Sequence, residues 1–476
     1  MKRAQALTIG LSIAVMVAGC GRSDEQIKET ASTAPIGTAP PETVGLAQGG
    51  FGDLGVICSG TPEGMELVEG NDPGVTAESI QVSTVSDPGF PGRPGLNQEL
   101  FDTAEAFTSW CNEHGGINGR KIELKLRDAM LTQFQQRVIE ACDEGDFAMV
   151  GGGAVFDDTG QVERLDCELP AIPGYAVTAK ASAADLTVQP VPNPSDTLPI
   201  GDFLYLAETF PESTQNVAVL TGDLATTVTV ANRYKEGIAQ LDWKVVYDEE
   251  YPSLGVDSWR PFAESIKAND AKGLIWVGEP VNLAKLMSEL KALDVTLDWV
   301  RTDANHYDAK VLEAGDDADG VYVRSAFAPF IGNAAEAGSA TAQYADLIET
   351  YDEGGIQAYL GIQSLSAWLL FATAARDCGA ELTRDCLMEK AAANTTWSGG
   401  GIHAPLDLSG ATPSTCYALF VVEGGAFATV DIAPNNGIYR CDPDNVATLV
   451  GDYGTGAKCQ NSAFATDPKP SNCGSL

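Results

Sequence analysis

The chain has 476 residues, a formal net charge of −37, 44% hydrophobic residues and 8% aromatic residues. This composition is typical of a globular protein that is long enough for two domains with separate cores. The negative charge argues against a nucleic-acid-binding protein, which must neutralise phosphates, and against electrostatic adhesion to anionic lipid.

The N-terminus has the pattern of a secretory signal peptide. A basic head, residues 1–3, precedes an uncharged apolar run at residues 7–18, which is too short to span a bilayer. The run leads into Val17, Ala18, Gly19 and Cys20, which resembles the bacterial lipobox. This resemblance implies that residues 1–19 are removed and that acyl chains on Cys20 anchor the protein at the extracytoplasmic face of the cell membrane. The alternative is an ordinary cleaved leader with a chance cysteine.

The segment after Cys20 predicts a flexible stalk. Residues 21–55 are rich in Ser, Thr, Ala, Pro, Gly and Glu and have no apolar periodicity. Such a segment cannot bury enough surface to fold by itself. We therefore assign residues 20–70 to the lipidated cysteine and a stalk that keeps the folded body clear of the membrane.

Strand and helix patterns alternate from residue 80 onward. Apolar and alternating runs predict strands over residues 80–85, 121–127, 147–150 and 171–173, and helical periodicity predicts helices over residues 98–114 and 131–144. Two adjacent glycines, Gly115 and Gly116, end the first helix. This alternation favours βαβ units and a parallel sheet that is covered on both faces.

The pattern restarts after a turn-rich stretch, residues 189–199, which contains four prolines. Strands are predicted over residues 217–220, 245–247, 274–277 and 299–300, and helices over residues 225–241, 258–268 and 283–293. Helices return over residues 340–351 and 359–377, and the chain from residue 399 onward is β-like and rich in loops. The predicted fold class is α/β, with two Rossmann-like lobes and a hinge, and with a cleft at the facing strand ends.

The cysteines predict a set of disulfides. Eleven cysteines are present, and assigning Cys20 to the lipid leaves ten in an exported chain. Spacing alone does not decide the connectivity, but closeness along the chain favours Cys142–Cys167, Cys378–Cys386, Cys416–Cys441 and Cys459–Cys473, which leaves Cys58 to pair with Cys111. A metal site is the rival interpretation, and it is disfavoured because no CxxC or CxxH spacing occurs and only three histidines are present.

One stretch carries a family resemblance. The run GVTAESI at residues 74–80 is followed by Asp87, Gly92 and Gly95, then by AFTSWCNEHGGINGRKIEL at residues 106–124 and by Arg127 and Asp128. The chain resembles the type I periplasmic binding proteins, in the branched-chain amino-acid class of ABC-transporter substrate-binding lipoproteins. The resemblance covers about residues 75–428, and the run around GGINGRKIEL is its most specific part.

The resemblance implies a clamp of two lobes that closes on a ligand. The N-lobe would comprise residues 75–191 and 326–398, and the C-lobe would comprise residues 192–325 and 399–476. The implied function is an extracytoplasmic solute-binding protein that captures a small molecule and delivers it to an ABC permease. We expect a monomer that needs no cofactor. The alternative is a ligand-sensing receptor lipoprotein of the same fold that is not coupled to transport.

In the family, serine or threonine hydroxyls and backbone N–H groups on two N-lobe loops hold an amino-acid carboxylate. These loops fall on residues 152–159 and 174–178. The first has Ala154, Val155 and Phe156 where hydroxyls are expected, and only Thr178 remains near the second. This departure predicts that leucine, isoleucine and valine bind weakly or not at all. Asp157 has two interpretations, an N-cap of the following helix or an acceptor for a ligand rich in donors.

Three acids follow predicted strands of the C-lobe, Asp223, Glu279 and Asp303. The family places its ammonium-binding acid at the position of Asp303, although capping or solvation is an equal alternative for each acid. The loop that begins at Asp87 contributes Phe90 and Arg93 at the mouth of the cleft. The aromatic candidates for a cleft wall are Phe156, Tyr175 and Tyr307, each of which also suits a core position.

No catalytic motif is present. The chain contains no GxSxG, GxxxxGK[ST] or HExxH motif and no GxGxxG after a strand. An acidic run at residues 316–320 resembles a calcium loop faintly but lacks the glutamate at the twelfth position, so a solvated turn is the better interpretation. The sequence therefore predicts a binding protein and no enzyme.

Overall fold

A computed structural model describes residues 45–331, 338–432 and 437–459 of the chain. The predicted signal peptide, the predicted lipid site Cys20 and the first part of the predicted stalk lie outside these residues, and so does Cys473. Among the described residues, no helix combines the length and the apolar character needed to cross a membrane.

The first sheet is parallel and has the strand order β2-β1-β3-β4. Its elements in chain order are β1 (Ser79–Ser86), α1 (Glu99–Glu113), β2 (Lys121–Asp128), α2 (Phe134–Asp143), β3 (Ala148–Val150), α3 (Gln161–Asp166), β4 (Ala171–Ile172) and α4 (Ala179–Ser182). The apolar stripe of α1 is buried from Leu100 to Cys111. The strands and helices predicted in this region are confirmed, with shifts of one to three residues at their ends.

The second sheet follows a proline-rich stretch. The elements in chain order are β5 (Thr197–Pro199), α5 (Gly201–Thr209), β6 (Val217–Gly222), α6 (Ala225–Gln240), β7 (Val245–Tyr251), α7 (Arg260–Ala268), β8 (Gly273–Val277), α8 (Pro280–Ala292), β9 (Trp299–Thr302) and β10 (Val321–Ser325). Alternate residues of β6 and β8 pack against α5 and α6 on one face and against α7 and α8 on the other. Both faces of the sheet are therefore covered, as a parallel sheet requires.

The chain then returns to the first sheet through three helices, α9 (Ala340–Tyr351), α10 (Tyr359–Cys378) and α11 (Arg384–Ala392). Helix α10 packs against α1, α11, β3 and β4. It is apolar on most of its surface and is buried from Ile362 to Ala375, which explains why it shows little helical amphipathicity.

The last strands rejoin the second sheet. They are β11 (Cys416–Glu423), β12 (Ala426–Thr429), β13 (Arg440–Cys441) and β14 (Val446–Thr448). The completed sheet has the order β12-β11-β10-β9-β8-β6-β7, β13 pairs with β11, and β14 pairs with β5 in a separate two-stranded sheet. Strand β11 runs antiparallel to β10 and β12. The predicted fold class is confirmed, and the lobe boundaries stay a prediction.

Three connections link the two sheets, namely β4 to β6, β10 to α9, and α11 to β11. The last two touch each other, because Phe327 and His403 pair through their backbones and their rings lie 5.1 Å apart. His403 accepts from or donates to the Ser366 hydroxyl over 2.9 Å, and the Trp397 indole donates to the same hydroxyl over 3.0 Å. A buried polar network therefore joins α10 to the third connection.

The stalk prediction is wrong for the described residues that precede β1. Phe51, Ile57 and Cys58 are at most 1% exposed and belong to the main core. The Trp110 indole donates to the Leu46 carbonyl over 2.9 Å, which fixes the segment against α1. The physical reason is that a few apolar side chains and one disulfide hold an otherwise turn-rich segment in place.

Four of the five predicted disulfides are confirmed. The S–S bonds join Cys58 to Cys111, Cys142 to Cys167, Cys378 to Cys386 and Cys416 to Cys441. Cys459 is also disulfide-bonded, and its predicted partner Cys473 lies outside the described residues. The Cys58–Cys111 bond anchors the N-terminal segment to α1, and the Cys416–Cys441 bond closes the β11–β13 pair.

Candidate functional site

The loops at the carboxyl ends of the two sheets contact each other. Arg93, in the loop after β1, forms an ion pair with Glu279, which follows β8 of the second sheet. Burial lowers the pKa of Arg93, and the acidic Glu99 and Asp308 act in the opposite direction. Asp308 follows β9, so Arg93 lies within electrostatic range of two loops of the second sheet. The prediction that Arg93 lies at the mouth of an interlobe cleft agrees with this placement.

Asp87 connects three loops of the first sheet. It is fully buried, and its two carboxylate oxygens accept hydrogen bonds from Leu131 N over 2.8 Å and from Val155 N over 2.9 Å. Burial raises the pKa of Asp87, and these two hydrogen bonds act in the opposite direction. Because both carboxylate oxygens accept hydrogen bonds from backbone N–H groups, this placement favours a role in positioning the loops over direct contact with a ligand.

Asp157 has a similar role between the loop after β3 and the loop after β4. It is 3% exposed, and its oxygens accept from Val177 N over 2.7 Å and from Thr178 N over 3.1 Å. Burial raises the pKa of Asp157 to about 7. The N-cap interpretation is wrong, because α3 begins at Gln161 with Gly160 as its N-cap. Thr178 in turn caps α4 by accepting from Ala181 N.

Tyr175 packs against Gly153 at the end of the first sheet. A Cβ atom on Gly153 would lie 2.2 Å from the Tyr175 ring, so only glycine allows this contact. The Tyr175 hydroxyl accepts from Asn97 Nδ2 over 3.0 Å. Burial raises the pKa of Tyr175 well above 10, so its hydroxyl keeps its proton at neutral pH.

The other residues predicted in the first lobe differ in exposure. Ala154 is fully buried, whereas Val155 and Phe156 are partly exposed. Phe90 is also partly exposed and folds over Gly92 of its own loop. Val155, Phe156 and Phe90 therefore remain open to a ligand, and Ala154 supports the loop from below.

A small apolar cavity of about 40 Å³ lies behind this surface. It is enclosed by β1, β3, β4, α2, α3 and α4 and contains the side chains of Asp157 and Arg164. Arg164 is 1% exposed, and its donors bond to Gln161 Oε1, Thr187 Oγ1 and backbone carbonyls at 2.8–3.0 Å. The residues that line this cavity all belong to the first sheet and its helices and loops, so the cavity does not extend between the two sheets.

Two acids of the second sheet, Asp223 and Asp303, have partners within the second sheet and its loops. Asp223 is exposed and accepts from Ser253 N over 2.8 Å. Asp303 is 30% exposed, lies 3.0 Å from Arg301 Nη1 and accepts from the Tyr234 hydroxyl. Asp223 and Asp303 therefore have hydrogen-bond or ion-pair partners without a ligand, although part of the Asp303 side chain is exposed.

Arg301 belongs to a buried pair that the sequence did not reveal. Its Nε lies 2.6 Å from Asp202 Oδ2, and both side chains are at most 2% exposed. The guanidinium also stacks on the rings of Phe203 and Tyr234, 4.7 Å and 4.2 Å from their centroids. Asp202 and Asp303 share one arginine, so Arg301 positions Asp303 at the end of β9. The available signal was an arginine directly after the predicted strand at residues 299–300, because a buried arginine needs a partner.

Tyr307 lies in the core of the second lobe. It is fully buried, and its ring lies within 5.0 Å of the rings of Phe330, Phe420 and Phe427. This placement favours the core alternative over the cleft-wall alternative.

One acidic cluster was not predicted. The carboxylates of Asp102, Glu105 and Asp352 lie within 4.8 Å of one another. Asp102 already accepts from Gln98 Nε2 over 2.7 Å and from Ile356 N over 2.8 Å. The cluster lies on α1 and the loop before α10, and the Asp102 carboxylate serves as a local hydrogen-bond acceptor.

The sequence profile of one family, described as "Periplasmic binding protein", matches residues 94–426, which is more than half of the chain. The chain belongs to the periplasmic binding protein family. No curated protein sequence matches the chain significantly.

Solved structures show which fold this binding protein has. A fatty acid ABC transporter substrate-binding protein from Thermomonospora curvata superposes with a TM-score of 0.65, 13% identity and coverage of 82% of this chain and 97% of that chain. A branched chain amino acid ABC transporter from Thermus thermophilus with bound valine superposes with a TM-score of 0.62 and 15% identity, and the match covers 74% of this chain and 96% of that chain. A leucine binding protein from Thermotoga maritima superposes with a TM-score of 0.61 and 14% identity, and the match covers 77% of this chain and 99% of that chain. At these identities the similarity shows the type I fold of the binding protein and does not show its ligand.

Proposed function

We propose that this binding protein is lipid-anchored on the extracytoplasmic face of the cell membrane, captures one small molecule in the cleft between its lobes and delivers it to an ABC permease. The observation that carries the proposal is the contact between Arg93 and Glu279, because it brings together loops at the carboxyl ends of both sheets. Ligands of open α/β sheets bind at that edge.

The proposed cleft is lined by the predicted residues that keep exposed surface. These are Phe90, Val155, Phe156 and Tyr175 from the first lobe, and Asp223, Glu279 and Asp303 from the second. The buried residues Asp87, Ala154 and Asp157 and the partly exposed Thr178 hold the first-lobe loops in position behind them. Closure would rotate the lobes about the three connections between the sheets, with residues 75–191 and 326–398 moving against residues 192–325 and 399–476.

The lipid anchor explains how such a receptor stays near its permease. Tethering through Cys20 raises the effective concentration of the receptor at the membrane. Metabolic labelling with radioactive palmitate tests the anchor, and we expect label on the wild-type chain and none on the variant Cys20→Ser. Release of unlabelled wild-type protein into the medium would refute this part of the proposal and would leave solute binding untouched.

A thermal-shift screen tests solute binding. A ligand that binds only the native state raises the unfolding free energy by about 2.7 kcal/mol at 100 times its Kd. The panel contains amino acids, fatty acids, sugars, polyols and amines, because solved relatives of the same fold carry fatty acid and valine in their descriptions. We expect one compound to raise the melting temperature, and we expect leucine, isoleucine and valine to fail.

The screen also separates transport from sensing. If a compound binds but a strain that lacks this protein accumulates it normally, the ligand-sensing receptor is the better account. If no compound in the panel raises the melting temperature, the solute-binding proposal loses its support.

A further inference from the structure

Arg324 lies at the edge of the second sheet where the proposed ligand would bind. It belongs to β10, which runs parallel to β9 with Tyr322 beside Arg301 and Val323 beside Thr302. Continuing this register by one residue places Arg324 beside Asp303. Because parallel strands end at the same edge, Arg324 and Asp303 are neighbours on one face at the carboxyl end of the sheet.

Arg324 differs from the other buried or half-buried arginines near the cleft, because none of its guanidinium nitrogens has a hydrogen-bond partner among the described residues, whereas Arg233 donates to the Pro194 and Thr197 carbonyls. Arg93 pairs with Glu279, and Arg301 pairs with Asp202 and Asp303. Within the described part of the chain no carboxylate lies within ion-pair distance of Arg324, and its buried Nε has no hydrogen-bond partner. A half-buried cation without a counter-ion is costly, and this protein carries 66 acidic residues against 29 basic ones. The neighbouring carboxylate, Asp303, is already bound to Arg301 and Tyr234.

Tyr359 lies within electrostatic range of Arg324, and Tyr439 lies within electrostatic range of Tyr359. Burial raises the pKa of Tyr359 to about 12, and the positive charge of Arg324 acts on the same group in the opposite direction. Tyr359 is the first residue of α10 and packs on Phe327, 5.3 Å between ring centroids. Tyr439 interacts electrostatically with Tyr359, burial raises its pKa, and its buried hydroxyl has no hydrogen-bond partner. Both hydroxyls are protonated at neutral pH and can donate.

The start of α10 adds to this set of donors. Its N-cap residue, Ala358, has no side chain that could accept from the free N–H groups of the first turn. A helix of 20 residues carries partial positive charge at that end. The unpaired guanidinium of Arg324 therefore lies within electrostatic range of Tyr359 at the uncapped start of α10, and the unpartnered Tyr439 hydroxyl lies within range of Tyr359 in turn.

We propose that Arg324, with Tyr359 and Tyr439, binds a carboxylate group of the ligand, so that the transported solute is an organic acid. This inference rests on the proposed solute-binding function and names the chemical class of its ligand. A guanidinium binds a carboxylate by donating two parallel hydrogen bonds, and the tyrosine hydroxyls can donate to the remaining lone pairs of the carboxylate. The site differs from the first-lobe loops at residues 152–159 and 174–178, where the family resemblance places a ligand carboxylate.

The experiment pairs organic acids with their primary amides. Hexanoate, benzoate, succinate, 2-oxoisovalerate and L-glutamate are each compared with the corresponding amide at 1 mM in a thermal-shift assay, and hits are titrated by calorimetry. We expect an acid to raise the melting temperature and its amide to do so by much less. Arg324→Gln should weaken binding of that acid at least tenfold, and Tyr439→Phe should weaken it by a smaller factor. Arg260→Gln, which changes an exposed arginine paired with Glu264 on α7, should bind the acid as the wild type does.

Ligand-free stability gives a second readout. Arg324 has no ionic partner to lose, so Arg324→Gln should melt at or above the wild-type temperature, whereas Arg301→Gln should melt several degrees lower because it strands Asp202. A loss in Arg324→Gln equal to that in Arg301→Gln would make Arg324 a structural residue and overturn the proposal. If Arg324→Gln does not fold, the comparison of acids with amides on the wild-type chain decides.

Failure of this proposal is distinct from failure of the proposed function. If only neutral or cationic compounds bind, or if an amide binds as tightly as its acid, solute binding stands and the carboxylate site is refuted. If Arg324→Gln binds the acid within twofold of the wild type, the acid is held elsewhere. If neither this set nor the wider panel contains a binder, both proposals fail together.

Discussion

Arg93 and Glu279 form an ion pair that joins the loop after β1 to the loop after β8, and thus links the two sheets of the molecule. Their side chains are 30% and 31% exposed, so water screens the pair and its contribution to global stability is small. Its effect falls instead on the equilibrium between open and closed lobes, where even about 1 kcal/mol changes the populations about fivefold.

Reversing one charge of this pair should therefore open the cleft. We expect Arg93→Glu to increase the radius of gyration in small-angle scattering, because two acids then face each other, while the unfolding free energy changes by less than about 1 kcal/mol. The double variant Arg93→Glu with Glu279→Arg restores the pair and should restore the wild-type radius. An unchanged radius in the single variant would show that the contact does not control closure.

Removing the Asp87 carboxylate should destabilise the first lobe. Asp87→Ala leaves the buried N–H groups of Leu131 and Val155 without acceptors, which should cost about 3 kcal/mol in urea denaturation. Asp223→Ala is the matched control, since its carboxylate is exposed and accepts one N–H group. A normal unfolding curve for Asp87→Ala combined with lost ligand binding would show that Asp87 contacts the ligand directly.

His403 should make stability depend on pH. Burial lowers the pKa of His403 to about 4, below the usual value near 6.5. The pKa of His403 is lower in the folded protein than in the unfolded chain. The contribution of His403 to the free energy of unfolding is therefore complete above pH 6.5 and is lost as the pH falls toward 4. The difference in unfolding free energy between wild type and His403→Gln should shrink by about 2 kcal/mol from pH 6.5 to pH 4.5.

Denaturation of both proteins across this pH range measures that difference. Comparison with the wild type is needed because burial lowers the pKa of His306 to about 4 as well and raises the pKa of Asp157 to about 7. His306 and Asp157 remain in His403→Gln, so their contributions cancel in the difference in unfolding free energy between the two proteins. A difference that is constant with pH would show that His403 keeps an ordinary pKa in the folded protein.

The N-terminal segment should contribute to stability although it lies before the first strand. Phe51 is fully buried, so Phe51→Ala should lower the unfolding free energy by about 3 kcal/mol. Deletion of residues 21–41 should leave the same quantity unchanged. Equal stability of Phe51→Ala and wild type would contradict the docking of this segment.

Much of the fold could be predicted from the sequence because its signals are local. The strands around Ile80, Ile122 and Leu274 are short apolar or alternating runs, and α1 carries a clear apolar stripe. Pairing of cysteines that lie near each other in sequence also succeeded, because short loops bring such residues together. Strand β10 was missed, since Tyr322 and Arg324 interrupt its apolar pattern.

The site was harder to predict because its roles depend on contacts between distant segments. Asp87 and Asp157 were expected to meet a ligand or cap a helix, yet each binds backbone N–H groups that lie 20 to 68 residues away. The stalk was extended too far, although the predicted bond between Cys58 and Cys111 already implied that the chain is fixed by residue 58. Arg324 and Tyr359 come together only once β10 and α10 are placed.

Native mass spectrometry of the protein purified from its own host tests the central claim most directly. We predict a second, heavier species that differs from the free protein by the mass of one small molecule and loses that mass on collisional activation. The released molecule should ionise as an organic acid. Detection of the protein only at its own mass, with no added mass from any compound of the screening panel, would contradict a solute-binding function.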